Sequence, residues 1–412
     1  LPFWVHLLRA VLAFTVFLLS TALLIWGERR LVSLMQTRVG PNRVGPFGMG
    51  QTLVDGLKMF FKEDVTPRMV SRVLFTLAPL LTVVVGFLSI AIIPFGGEVT
   101  LLGETFALQA ADLSVGVLWF LAMGSLHVYG VVLAGWASHS PYPLMGGVRS
   151  SAQMISYEIA QGLAVASVFI YTGSLRVSDI VAAQGSEGLL LGMPNWYVLP
   201  LFPAFVVFLV GMVAEAGRPP FDLPEAEGEL VAGFLTEYSG MRFGMFMLAE
   251  FMNVVTMSAI MVTLFFGGPL GPTFGTSGLI AGLLGVVWFL AKTLVFVFLF
   301  VLLRGAMPRM KYDKLLVLGW KVMIPLGLVW AMATGVIVVA RDQLAWGGWL
   351  AFGILVAFSA LVLVAVNRVM VTSRRPLGLT AAAAAANAPD VASPAAATHA
   401  VTHAATHEEA EV

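Results

Sequence analysis

Long uninterrupted apolar runs, separated by short polar and charged loops, dominate this chain. Windows of about 19 residues place the runs near 5–26, 73–93, 114–136, 152–172, 197–216, 243–266, 281–303, 316–339 and 346–367. Each is long enough to cross about 30 Å of hydrocarbon as a helix. The runs are continuous instead of alternating, and every backbone donor must be satisfied within lipid, so helices and not barrel strands are predicted. The expected fold class is all-α, a polytopic transmembrane helix bundle of about nine spans within residues 1–370.

Between the first two runs the pattern changes. The unit Arg-Val-Gly-Pro occurs at 38–41 and again at 43–46, and each Gly-Pro pair forbids a continuing helix. A rigid cationic turn is predicted, and no Gly-Lys-Ser/Thr follows to make it a phosphate loop. After it, Met49, Leu53, Leu57, Phe60 and Phe61 recur at helical spacing, while Asp55, Lys58 and Lys62 fall elsewhere around the wheel. This stretch is too short and too charged to span, and it reads as an interfacial amphipathic helix. A wall for something entering sideways from lipid and a simple anchor for the loop fit that pattern equally well. At the other end, residues 371–412 form an Ala-rich tail expected to be disordered and cytoplasmic. His399, His403 and His407 lie four apart there, but nothing preorganises them as metal ligands.

Composition agrees with a lipid environment: 59% of residues are hydrophobic and 11% charged, far from the balance of a soluble domain. Net charge is zero, which argues against nucleic acid as a partner. There is no cysteine, so disulfides, thiolate catalysis and iron–sulfur ligation are excluded for this chain. The chain starts at Leu1, and no cleavable signal is expected before the first span. Loops 27–72 and 304–321 are rich in Arg and Lys, and with 137–151, 217–242 and the tail they fall on one side. The alternate loops 94–112, 173–196, 267–280 and 340–345 offer Arg176 and Arg341. The positive-inside rule then places the tail in the cytoplasm and the N-terminus outside.

The candidate chemistry lies in ionisable residues at unusual depth. Glu28 closes the first span beside Arg29 and Arg30; Glu158 follows Tyr157 inside the fourth; Glu250 and Lys292 lie inside the sixth and seventh. Such groups cost about 2.5–3.5 kcal/mol on insertion scales, so a relay or polar cavity is the expected reason for them. The loop after Glu215 gathers Arg218, Asp222, Glu225, Glu227 and Glu229, with Glu237 further on. Asp222 with Glu225 matches a capping box and predicts a helix from Leu223. Carboxylates this crowded cannot all remain ionised if partly buried, which suits a proton relay, although a solvated acidic surface would share the sequence.

These motifs together resemble the family of the H-type membrane subunits of bacterial NADH:quinone oxidoreductase, respiratory complex I. The matching segments are 27–30, the Arg-Val-Gly-Pro turn with 51–64, then 153–161, 215–238, 247–253 and 304–312. The resemblance implies a subunit where the membrane arm meets the peripheral arm, in a bacterial plasma (inner) membrane. Its substrate would be a quinone, menaquinone or ubiquinone, with no metal or flavin bound by this chain. Its partners would be the other membrane-arm and peripheral-arm subunits, including the iron–sulfur chain beside the quinone site, and the lipid bilayer. Arg29, Arg38, Asn42, Phe60, Lys62, Phe221 and Arg304 would line the quinone chamber. Glu28, Tyr157, Glu158, Glu215, Arg218, Asp222, Glu225, Glu227, Glu229, Glu237, Glu250 and Lys292 would couple its chemistry to proton movement. Membrane subunits of energy-converting hydrogenases share parts of these motifs, but the long basic first loop favours the quinone reading. An ion-coupled secondary transporter is the third reading, and no half-to-half repeat supports it.

Overall fold

The computed structural model describes residues 2–101, 104–185, 195–272 and 279–343, with helical pieces at 353–355, 357–359 and 361–362 and residue 364. The ninth expected span falls largely outside the described residues, and the tail at 371–412 with its three histidines lies wholly outside them.

Twelve helices follow one another within the described residues: α1 (Phe3–Met35), α2 (Gln51–Phe61), α3 (Arg72–Ile90), α4 (Gly116–Ala137), α5 (Pro141–Thr172), α6 (Val177–Gln184), α7 (Phe202–Glu215), α8 (Glu227–Leu230), α9 (Gly240–Phe265), α10 (Leu279–Ala306), α11 (Tyr312–Val317) and α12 (Ile324–Gln343). A π-helical turn, Leu318–Met323, joins α11 to α12, so that 312–341 runs as one apolar rod. Among the described residues seven helical stretches are long and apolar enough to cross a membrane. They take up seven of the expected spans, and α7, at 14 residues, takes up an eighth.

The bundle is organised around α9, whose C-terminal half is buried on every side from Val254 to Phe265. It packs against α1, α3, α7 and α10, while α5 packs against α4, α7 and α12. Along α9 the Thr256, Ser258 and Thr263 hydroxyls donate to carbonyls four residues back, which satisfies them without a partner helix. Outward faces remain apolar and exposed, as at Leu283, Val287, Leu294 and Val295 of α10. That is the pattern of a surface solvated by lipid.

One loop departs from the all-helical expectation. Strands β1 (Glu98–Leu101) and β2 (Glu104–Ala107) form an antiparallel hairpin within 94–112. Four residues per strand carry too little alternation to be legible beforehand. The hairpin is held by Gln109, whose amide donates to the Ile92 carbonyl at 2.6 Å, and by buried Arg9 of α1, whose Nε donates to the Gln109 carbonyl at 2.6 Å.

The expected cationic turn is present and its construction is specific. Arg30 donates to the carbonyls of Pro41 and Phe47 at 3.3 and 3.2 Å, and Trp26 donates to the Phe47 carbonyl at 3.1 Å. Gly48 sits at φ +80° with its α-carbon against the Pro41 carbonyl, where any Cβ would collide. The turn delivers α2, which buries no residue fully and leaves Leu53, Leu57, Phe60 and Phe61 exposed. An Arg29–Asp55 ion pair and the Thr52 hydroxyl on the Ala22 carbonyl fasten α2 to α1.

Gly48→Ala is therefore expected to cost about 1–3 kcal/mol through backbone strain, read as a smaller fraction of folded protein after a heat step in detergent. Gly56→Ala, in α2 with nothing within 4 Å of the added methyl, should be neutral or stabilising by about 0.5–1 kcal/mol.

Candidate functional site

The site begins where α7 stops. Fourteen residues rise about 21 Å at 1.5 Å each, short of the hydrocarbon thickness, so the chain leaves α7 at Glu215 while still inside the protein. The following segment, 216–239, is irregular yet largely buried, which membrane proteins tolerate only under cover of other protein. Arg218, Phe221, Asp222, Leu223, Leu230, Phe234 and Tyr238 are all buried. The helix expected from Leu223 does not form. Ala226 and Val231 adopt positive φ of 32° and 65°, and Gly233 sits at 52°, leaving the single turn α8 and a 3-10 turn, Gly233–Leu235. Gly228 and Gly233 weaken any helix here, and the positive φ that tertiary contacts impose at Ala226 and Val231 ends it.

Both ends of this segment are pinned. Near α7, Gln153 donates to the Ala214 carbonyl at 2.7 Å, Asn253 to the Glu215 carbonyl at 3.0 Å, and the Met310 amide to the Pro220 carbonyl at 3.0 Å. Toward α9, Tyr238 stacks on Phe75 at 4.0 Å and meets Phe246 edge-on at 5.0 Å. Burial among these rings pushes the Tyr238 phenol above its usual range, partly opposed by nearby Arg242.

Within that frame the intramembrane charges form a chain. Arg218 lies 3.4 Å from Glu28 through Nη1 and 2.9 Å from Glu250 through Nε, and its guanidinium rests 4.5 Å over the Phe251 ring. The Nε–Glu250 approach is a charge contact off hydrogen-bond alignment, and Arg218 Nη2 has no hydrogen-bond partner among the described residues. Glu28 also pairs with Arg304 of α10, and Asp222 pairs with Arg309 at 2.7 Å. Residues of α1, the irregular segment, α9, α10 and the loop after α10 thus meet, with Glu28, Arg218 and Asp222 buried and Arg304 and Arg309 on the exposed side. Breaking such a pair from one side is costly because the other charge stays behind in a poor solvent.

Two groups of cavities flank the chain of charges. A cavity of about 370 Å³ is lined by Glu28, Arg29, Val32, Ser33, Arg38, Val39, Gly40, Pro41 and Arg304. On the far side of Arg218, a cavity of about 60 Å³ meets Thr82, His127, Glu215, Asp222, Glu225, Glu250 and Asn253. A smaller one of about 10 Å³ also touches His127, Glu215 and Asn253. Glu215 and Glu158 are close enough to repel one another, and the Ser125 hydroxyl donates to Glu158.

Most sequence-predicted site residues gather here, and a minority do not. Arg29, Arg38 and Arg304 share the large cavity with Glu28. Phe221 is instead buried against Tyr157, with ring centroids 5.5 Å apart, and the Tyr157 hydroxyl donates to the Leu315 carbonyl at 3.1 Å. Phe60 and Lys62 are exposed at the end of α2, and Asn42 is exposed in the cationic turn. Glu229 is an outer residue paired with Arg149 at 2.5 Å; Glu227 opens α8; Glu237 is half-buried before α9. Lys292 stands apart from the carboxylates. Its ammonium donates to the carbonyls of Phe266, Gly268 and Leu270 at 2.8, 3.1 and 2.6 Å, with the Trp196 ring 5.2 Å away. It caps the C-terminal end of α9, where helix carbonyls favour a cation. His127 and Arg9, both inside spans, went unmarked in the sequence, though the depth criterion that selected Glu158 applies to them equally.

The family described as NADH dehydrogenase matches residues 8–335. A protein of Frankia casuarinae, named as the H-type subunit of NADH-quinone oxidoreductase, is 52% identical over 333 residues, covering 81% of this chain and 72% of that relative. One of Frankia alni with the same name is 51% identical over 332 residues, covering 80% and 72%.

Replacing Arg218 with Met strands Glu250 and leaves Glu28 to Arg304, and about 3–5 kcal/mol of stability should be lost. The measurement is the yield and melting midpoint of intact complex. Adding Glu250→Gln to Arg218→Met should restore part of the loss; a double variant no better than the single one would mean the pair is not coupled.

Proposed function

This chain belongs to the NADH dehydrogenase family and is a membrane subunit of NADH-quinone oxidoreductase, respiratory complex I, and on that premise we propose that it admits quinone and couples quinone reduction to proton movement through buried carboxylates. Quinone is the substrate of the complex named for its relatives. The observation that carries the reading is the double membership of Glu28. It lines the cavity of about 370 Å³ and is paired with Arg218, whose other contact, Glu250, lines the carboxylate cavity.

The large cavity suits a quinone headgroup. Arg29, Arg38 and Arg304 bring guanidinium donors to a space beside α2, whose exposed apolar face would meet lipid and guide an isoprenoid tail. Electrons come from the iron–sulfur chain of a partner subunit, since this chain has no cysteine to hold a cluster. Two electrons and two protons convert quinone to quinol. Negative charge developing on the quinone competes with Glu28 for Arg304 and Arg218, and a weakened Arg218–Glu250 contact then changes the protonation of Glu250. From Glu250 the disturbance passes to Asp222, Glu225 and Glu215 around one cavity and on to Glu158. Glu227, Glu229 and Glu237 extend the acidic segment at its outer end. The irregular segment 216–239 supplies the element with two arrangements that such coupling requires. By the distribution of Arg and Lys, the chain lies in the inner membrane with its N-terminus outside and its tail in the cytoplasm.

Glu158→Gln or Asp222→Asn is expected to slow quinone-dependent NADH oxidation about tenfold or more while NADH oxidation by ferricyanide persists; unchanged quinone turnover and pumping would count decisively against the reading. Val32→Trp, which intrudes on the large cavity, should raise KM for a short-chain quinone several-fold and leave the ferricyanide rate alone.

A further inference from the structure

The fourth helix holds a group that the proposed path has so far not used. Gly124, Ser125 and His127 of α4 each lie against a carboxylate or a carboxylate-lined cavity. A side chain at Gly124 would come within 2.9 Å of a Glu215 carboxylate oxygen, so the glycine makes room for that group. The Ser125 hydroxyl donates to Glu158. His127 lines both smaller cavities, each time with Glu215 and Asn253. The first cavity also reaches Asp222, Glu225 and Glu250.

We propose that His127 is a proton-carrying residue between two sets of carboxylates, Asp222, Glu225 and Glu250 on one side and Glu215 with Glu158 on the other. The proposal rests on the coupling role argued above and adds a member to it. The Thr82 backbone carbonyl lies close enough to the imidazole to accept one of its N–H groups. A ring that donates one N–H there keeps its second nitrogen as a lone-pair acceptor. A proton taken there from a carboxyl group on the first side gives an imidazolium; its return to Glu215 from the same nitrogen restores the neutral ring. One N–H bond forms and then breaks, and no redox change occurs.

Every titratable neighbour contributing to the two cavities is a carboxylate: Glu215 from α7, Asp222 and Glu225 from the irregular segment, and Glu250 from α9. Glu158 of α5 approaches through Glu215. From α3 the cavity linings are Thr82, Val85, Gly86 and Ser89, none of which titrates. The linings thus bring carboxyl groups, and no cation, to the cavities that the ring borders.

The test compares His127→Asn with His127→Asp in the complete complex in lipid vesicles, since the two replacements share a shape and differ in the ability to carry a proton. Asn should lower quinone-dependent turnover and proton uptake per NADH about tenfold or more, with Asp several-fold faster than Asn and ferricyanide reduction per complex unchanged in both. If the position serves packing alone, neutral Asn will do as well as charged Asp or better, and the proposal falls. Glu158→Gln, measured alongside, separates the two levels: a slow Glu158→Gln with an Asn variant at the wild-type rate removes His127 and keeps the carboxylate path. A wild-type rate in both removes the path as well. Should Asn and Asp fail to enter the complex, His127→Gln keeps an N–H donor for the Thr82 carbonyl; a tenfold loss there supports the role and a wild-type rate ends it. Exclusion of all three from intact complex would make the ring a packing element and overturn the proposal.

Discussion

A guanidinium shared between two carboxylates in a poor solvent is the constraint on which this structure turns. Arg218 is buried between Glu28 and Glu250, where burial weakens the screening of the three charges from one another. A change at either carboxylate must be felt at the other. Neither the large cavity near α1 nor the carboxylate cavity near α7 would communicate through apolar packing alone, since dispersion contacts are insensitive to charge. The same burial bears on why the arrangement exists: an ion pair in the interior is weak evidence of stability and strong evidence of a task.

The fold supplies the place for that arrangement through a difference in helix length. Because α7 ends after 14 residues, its loop starts below the level at which its neighbours emerge. Long α5, with 32 residues, and α9, with 26, provide the cover that an irregular backbone needs. The aromatic contacts of Tyr238 with Phe75 and Phe246 hold one end of the loop, and the Arg309–Asp222 pair holds the other. Between them the backbone passes through positive φ at Ala226, Val231 and Gly233, conformations that cost the two non-glycine residues energy and persist there only under tertiary constraint. A segment so held can have two arrangements close in energy, which is what coupling across a distance demands.

Much of this was legible in the sequence because lipid imposes long apolar runs, and an ionisable residue inside such a run is conspicuous. Glu158, Glu250 and Glu28 stand out that way, and the cationic turn is marked by paired Gly-Pro steps. What the sequence concealed has physical reasons. The hairpin β1–β2 is too short for its alternation to register. The Asp222–Glu225 spacing suggested a helix because local capping chemistry was visible, whereas the tertiary contacts that impose positive φ were not. Lys292 stood among the residues expected to couple to proton movement; its partners are backbone carbonyls in the turn after α9, and no sequence pattern marks a carbonyl. Phe221 looked like a chamber wall and is packed on Tyr157 instead. His127 carries the same signal as Glu158 but is easily missed, because a single histidine among apolar residues so often belongs to packing.

Redox-induced infrared difference spectroscopy of the intact complex in lipid tests the central claim most directly, since it observes carboxyl groups gaining or losing protons as quinone is reduced. A carboxyl C=O difference band is expected in the wild type, diminished in Glu250→Gln and shifted when Arg218 is replaced by Lys. A spectrum with no carboxyl band, or with a band indifferent to both substitutions, would contradict coupling through the shared guanidinium.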